Sequence, residues 1–214
     1  MNDSPADSHD RARQSQATGD GIPTNPFASR YIRPGALPYH FQQGEDAATL
    51  IARLQALGWW GQITGPHGTG KSTLVAALLP KIERACRRPL LITLHDGERS
   101  LVAHRRRLAR CDAVTLLVID GYEQLSPWNR FWLRRACRQR KCGLLVTAHK
   151  PVGLPTLTKT AVDAALARNV LYELHPAATA EHEAVLSRSL LAHSSNLREA
   201  LFDLYDLEEL RRRR

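Results

Sequence analysis

The chain has 214 residues, 43% of them hydrophobic, and a formal charge of +9. That length suits one α/β domain with additions, and the apolar fraction supports a sizeable core. No run of 18 apolar residues exists, which excludes a membrane-spanning helix, and Met1-Asn2-Asp3-Ser4-Pro5 lacks the basic start and apolar centre of a secretion signal. Cys86, Cys111, Cys137 and Cys142 form no Cys-x-x-Cys pair, so reduced thiols and a cytoplasmic location are expected; Cys137 and Cys142 have no further ligand spacing for a metal. The basic balance favours a polyanion: a nucleotide, a nucleic acid or an acidic protein.

Residues 1–24 are polar and are expected to be disordered. A proline-punctuated arm follows, from Asn25-Pro26-Phe27 to Arg33-Pro34-Gly35-Ala36-Leu37-Pro38. Its aromatics, Phe27, Tyr31, Tyr39 and Phe41, are read as staples to the core, with the adenine side of a bound nucleotide as the alternative. Gly44 to Leu57 repeats apolar residues at helical spacing, and Gly58 stops it. Trp59 to Thr64 is the first strand.

A glycine-rich stretch comes next, then a helix to about Arg87, with Pro89 marking its end. Leu90 to Leu94 is a short second strand, wholly apolar except for Thr93, as a strand covered on both faces should be. Residues 99–110 read as a basic helix without an acid. Val114 to Asp120 is the third strand; its apolar run ends in a carboxylate. Ser126-Pro127 caps a helix reaching about Lys141. Its Trp128, Phe131 and Trp132 are expected to pack in the core, although the arginines of this helix and of 99–110 would suit a phosphate-tracking surface. Gly143 to Thr147 is the fourth strand, 150–160 a loop, 160–167 a helix and Asn169 to Leu174 a fifth strand. Two amphipathic helices, about 178–192 and 195–210, precede Arg211-Arg212-Arg213-Arg214. Alternating strands and helices predict an α/β fold with a doubly wound, mainly parallel five-stranded sheet and C-terminal helices. Ligands then bind at the carboxyl ends of the strands.

The chemistry centres on Gly65-Pro66-His67-Gly68-Thr69-Gly70-Lys71-Ser72, followed by Thr73. The glycine, lysine and hydroxyl spacing is that of a phosphate-binding P-loop, and it stands between a strand and a helix, as the motif requires. Backbone N–H groups and the helix N-terminus would face phosphate oxygens. Lys71 would reach the β- and γ-phosphates of ATP, and Ser72 would ligate Mg²⁺. Some fifty residues on, Leu116-Leu117-Val118-Ile119-Asp120 supplies the second carboxylate expected near Mg²⁺. No His-Glu-x-x-His or Gly-x-Ser-x-Gly pattern points to zinc or nucleophile-elbow chemistry.

From about Pro26 to Leu174 these motifs resemble those of the additional-strand P-loop ATPases, the group containing AAA+ and ABC-type enzymes. Asp120-Gly121-Tyr122-Glu123-Gln124-Leu125 and Leu144-Leu145-Val146-Thr147-Ala148-His149 resemble the Walker B and sensor-strand regions of small bacterial AAA-type helpers. The resemblance implies a sheet order of 5-1-4-3-2 and an ATPase that works on DNA or protein partners, with an oligomer among the arrangements it allows. It also implies a Glu directly after the Walker B Asp, to orient water; here that position is Gly121. Glu123 is the nearest replacement, with Asp96 and Glu98 as competitors. Thr147 or His149 would be the polar sensor; both fall on one face of the strand. Arg134, Arg135, Arg168, Arg188 and Arg198 are all candidate arginine fingers. A small-molecule kinase or a non-hydrolysing nucleotide-binding adaptor is the alternative reading.

Overall fold

The computed structural model describes residues 24–42 and 44–213; the expected disordered tail lies outside them, apart from Thr24. The elements run α1 (Ser29–Ile32), α2 (Ala47–Ala56), β1 (Trp60–Thr64), α3 (Lys71–Arg84), β2 (Arg88–Thr93), α4 (Arg105–Leu108), β3 (Thr115–Asp120), α5 (Pro127–Gln139), β4 (Gly143–Ala148), β5 (Thr156–Lys159), α6 (Ala164–Leu174), α7 (Ala180–Ala192) and α8 (Leu197–Arg212). Short 3₁₀ turns cover Val102–His104 and Tyr122–Gln124. No described helix is long and apolar enough to cross a membrane.

The five strands form one parallel sheet in the order β2-β3-β4-β1-β5, which is the expected order read from the opposite edge. Successive residues of β3 serve opposite layers, which explains its unbroken apolar run. Leu116 and Val118 pack with Leu50 and Leu54 of α2 and Leu74 and Leu78 of α3. Leu117 and Ile119 face Tyr122, Leu133 and Cys137 on the other side. A third cluster joins α6, α7 and α8 around Phe27, which is wholly buried and edge-on to the His175 ring. Phe27 is therefore a staple, as expected.

Several helix starts follow from capping. Asp46 accepts from the Thr49 N–H at 2.6 Å, and Ser126 from the Asn129 N–H at 3.2 Å. Asn196 caps α8 through the Glu199 N–H at 3.4 Å.

Four expectations need correction. The fifth strand is Thr156–Lys159, inside the stretch expected to be loop, and it pairs with β1. The expected strand Asn169–Leu174 is the second half of α6, because Ala167, Val170 and Leu171 recur at helical spacing on the buried face. The basic helix over 99–110 shrinks to a 3₁₀ turn and the single turn α4. Leu101 alone is buried there, and one anchor is too little tertiary packing to hold a longer helix. Finally, Trp128, Phe131 and Trp132 are not core residues; they are 68%, 56% and 47% exposed. The half-buried arginines of α5 explain this inversion. Arg130 donates to the carbonyls of Glu123 (2.6 Å) and Leu125 (2.8 Å), and Arg134 to the Tyr122 hydroxyl (2.9 Å) and the Val152 carbonyl. Both guanidiniums lie 5.6 Å from the Tyr122 ring centroid.

Candidate functional site

The loop 65–70 leaves β1 and enters α3, with Gly68 at φ +68° and Gly70 at φ +84°. Both are left-handed conformations that side chains disfavour. Gly65 abuts Thr160, leaving no room for a Cβ, and the Thr69 hydroxyl is 2.6 Å from that of Thr160 while donating to the Pro66 carbonyl at 2.9 Å. The segment after β5 therefore braces the loop from behind. Ser72 and Thr73 sit half-buried in the first turn of α3.

Lys71 is buried, and its ammonium donates to the carbonyls of Gly65 (2.8 Å) and Pro66 (2.6 Å). Its pKa is lowered chiefly by that burial, with Glu123 and Asp120 pulling the other way. No carboxylate makes an ion pair with it among the described residues. A buried cation held by neutral carbonyls at the mouth of a glycine turn fits an incoming phosphate.

Asp120 ends β3 beside this loop. Thr147, 1% exposed, donates to its Oδ1 at 2.5 Å and accepts from the Gly121 N–H at 2.9 Å. His149 lies just beyond β4. Its Nδ1 is 3.2 Å from the Lys71 ammonium, and its Nε2 is 2.6 Å from a Glu123 carboxylate oxygen. The His67 ring lies against it with centroids 3.4 Å apart. Burial is the leading cause that lowers the His149 pKa; Glu123 raises it, and Lys71 and His67 lower it further. The two sensor candidates thus have separate tasks: Thr147 fixes Asp120, and His149 connects Lys71 to Glu123.

Gly121 explains the displaced carboxylate. It has φ +84°, and a Cβ there would stand 2.7 Å from the Leu94 carbonyl. No side chain fits at that position, and the 3₁₀ turn Tyr122–Gln124 carries Glu123 back toward the loop instead. The second oxygen of Glu123 is buried without a hydrogen-bond partner. Its competitors are engaged elsewhere: Asp96 accepts from Gln124 at 2.9 Å, and Glu98 from the His95 N–H at 2.8 Å.

Sequence reasoning missed the covering of the loop by α8. A Cβ on Gly68 would overlap the Asn196 side chain and stand 3.2 Å from the Arg198 amide nitrogen. An Asn ahead of a helical repeat does signal a cap, but not that the cap docks 128 residues upstream on the loop. Among the five arginine candidates, Arg198 has its backbone nitrogen against the loop, while its guanidinium lies 5.8 Å from the Phe202 ring centroid. Arg134 is spent on Tyr122 and Val152, Arg168 pairs with Glu183 at 3.9 Å, and Arg135 and Arg188 are exposed on α5 and α7. Tyr39 approaches Gly70, with a ring carbon 3.5 Å from where a Cβ would be.

The ORC1 protein of Aeropyrum pernix, solved in complex with DNA, is similar in structure, with a TM-score of 0.63 and 18% identity over 86% of this chain and 65% of that one. AMPPCP-bound DnaA from Aquifex aeolicus matches with a TM-score of 0.52 and 17% identity over 76% of this chain and 61% of that one. A replication initiator DnaA bound to AMPPCP and single-stranded DNA gives a TM-score of 0.55 at 17% identity over 79% of this chain and 63% of that one. The chain has the additional-strand P-loop NTPase fold. It spans less than two thirds of the length of these structures. No protein-family model matches it. No curated protein matches it either.

Proposed function

We propose that the chain binds ATP with Mg²⁺ and hydrolyses the terminal phosphoanhydride bond, as a switch or remodelling helper for nucleic-acid or protein partners. The observation that carries this reading is the contact chain Lys71–His149–Glu123, which ends in a buried and unpartnered carboxylate oxygen. That oxygen is free to accept a hydrogen bond from water beside the loop, as a general base must.

In this reading the loop 65–70 grips phosphate by its backbone, and Lys71 exchanges its carbonyl contacts for phosphate oxygens. Ser72 and Asp120 would hold Mg²⁺, which neutralises charge on the phosphates when bound. Thr147 keeps the Asp120 carboxylate in one orientation. Glu123 accepts the proton of the attacking water, and His149 steadies Glu123 through Nε2. Arg198 begins α8 beside Gly68 and would meet charge from that side by swinging its guanidinium off the Phe202 ring. The nucleotide analogue and the DNA bound by the similar structures support nucleotide and nucleic acid as partner classes. With this reading go a catalytic core over 25–175, a helical extension over 176–214 that ends in four arginines, and a cytoplasmic location, for which four free thiols speak.

Phosphate release with ATP and Mg²⁺, with and without DNA, tests the proposal on the wild type and on Glu123→Gln. The variant should bind ATP normally and turn over about 100-fold more slowly. Wild-type ATP binding without phosphate release under either condition counts against it.

A further inference from the structure

The outward face of α5 is the least explained surface of the molecule. Trp128, Phe131 and Trp132 occupy one turn of it, and Arg135 and Arg138 continue the same side toward the C-terminus, the Arg138 guanidinium 5.4 Å from the Trp60 ring centroid. Trp128 and Phe131 are close to parallel, at 28° with centroids 6.2 Å apart. Trp132 stands edge-on to both at 5.6 Å. The rings form one contiguous patch in water, and patches of that kind mark binding surfaces. The inward face of the helix already has its contacts through Leu133, Cys137 and the two inward arginines, so nothing in the core needs these rings.

We infer that this face binds single-stranded nucleic acid, with bases stacking on Trp128, Phe131 and Trp132 and phosphates meeting the arginines. Three features favour a nucleic-acid strand. Helix α5 carries no acid, and neither does the neighbouring basic segment 99–110, whose Arg99 carbonyl accepts from Asn129 of α5 at 2.8 Å. Two π faces are offered nearly parallel. Aromatic rings beside a cationic track are the design that holds single strands without sequence preference. Duplex DNA would meet the arginines but could not use the rings without unstacking.

The surface also has a mechanical route to the proposed catalytic turn. Arg130 lies between Trp128 and Trp132 in sequence and holds the Glu123 and Leu125 carbonyls from its inward side. A strand that shifts this end of α5 thus acts on the segment that carries Glu123. This coupling rests on the ATPase reading; the binding site itself does not.

The test uses the whole chain and fluorescein-labelled (dT)₃₀, read by anisotropy across a salt series. Trp128→Ala/Phe131→Ala/Trp132→Ala should lose at least tenfold in affinity with an unchanged salt slope, since it removes stacking and no charge. Arg135→Gln/Arg138→Gln should instead flatten the log–log salt slope by about 1.4, about 0.7 for each phosphate contact. Circular dichroism of both variants must match the wild type; if the triple variant misfolds, Trp128→Ser alone and quenching of wild-type tryptophan emission by (dT)₃₀ replace it. Absence of (dT)₃₀ binding by the wild type overturns the inference, as does an unchanged affinity in the aromatic variant. Wild-type self-association that the triple variant abolishes, without (dT)₃₀ binding, reassigns the patch to contacts between copies. Lys71→Ala separates the two readings: it should keep (dT)₃₀ binding while its ATP binding weakens by about 10- to 100-fold.

Discussion

Replacing Thr147 with Val tests the division of labour between Thr147 and His149. Valine keeps the shape of threonine and its β-branch, so β4 should keep its pairing with β1 and β3. What disappears is one hydroxyl with two jobs. It donates to the Asp120 carboxylate at 2.5 Å and accepts from the Gly121 N–H at 2.9 Å, in a site that is 1% exposed. Losing a hydrogen bond to a charged group costs about 1.5–3 kcal/mol, and a buried N–H left without a partner costs about 1–3 kcal/mol. The two losses share one atom and are not fully additive, so about 3 kcal/mol is expected. In a chain of this size that lowers Tm by about 6–12 °C. Urea unfolding at neutral pH measures it, with Thr147→Ser as the control that should recover most of the loss. ATP affinity should also fall more in the presence of Mg²⁺ than in its absence, because Asp120 loses its fixed orientation. A Thr147→Val variant within about 0.5 kcal/mol of wild type would refute the reasoning, since that is the scatter of substitutions that touch nothing.

Four further outcomes follow from the same geometry. Lys71→Ala should weaken ATP binding by about 10- to 100-fold, the worth of one charge-assisted contact, in a filter or fluorescence titration. Gly121→Ala should destabilise the chain by about 2 kcal/mol or more, because it forces a left-handed alanine against the Leu94 carbonyl; an unaffected urea midpoint would deny the close approach. His149 is held below its ordinary pKa in the folded chain, so the unfolded chain takes up that proton first as pH falls. Its stabilising contribution is therefore complete above the ordinary histidine range, near 6.5, and is lost as pH drops below it. Between pH 7.5 and 5.5 the wild type should accordingly lose more stability than His149→Gln. Ellman's reagent should find one fast thiol, the exposed Cys86. Cys111, Cys137 and Cys142 are buried; the Cys142 thiol and then burial push the Cys111 pKa up, while for Cys142 the Cys111 thiol pulls down but the Cys137 thiol and burial prevail and raise it to about 11, so all three should react only on unfolding.

Strands β3 and β4 were legible because burial on both faces writes itself as an unbroken apolar run, Leu116 to Ile119 in one and Leu144 to Val146 in the other; β1, with Gln62 and Thr64, was legible from its place between Gly58 and the glycine-rich loop. The glycine spacing of 65–70 was legible for a related reason, since a turn that bares its backbone tolerates few residue types. Strand β5 escaped because its four residues, Thr156 to Lys159, follow Pro151, Gly153 and Pro155, whose local signal is that of a loop. Its pairing with β1 is a tertiary fact. The aromatics of α5 were misread because hydrophobicity was taken to point inward. Two arginines won the inner face because each meets two acceptors there, where a tryptophan has a single N–H to offer. The reach of Glu123 depended on one angle, the φ of Gly121, which sequence spacing does not carry.

The docking of α8 on Gly68 has a thermodynamic consequence. A helix of 16 residues is a rod about 24 Å long. One end touches the phosphate loop; the other holds Arg211, which reaches Glu181 on α7 at 2.9 Å. Whatever pulls or braces the far end does work on the near one. If nucleotide binding seats the rod, then a partner that grips the region of Arg211 in its seated position must tighten nucleotide binding by the same factor by which nucleotide tightens the partner. On the proposed ATP-binding reading, the C-terminal helix would act as a two-way shaft, its distal end a place where nucleotide affinity is set from outside the loop.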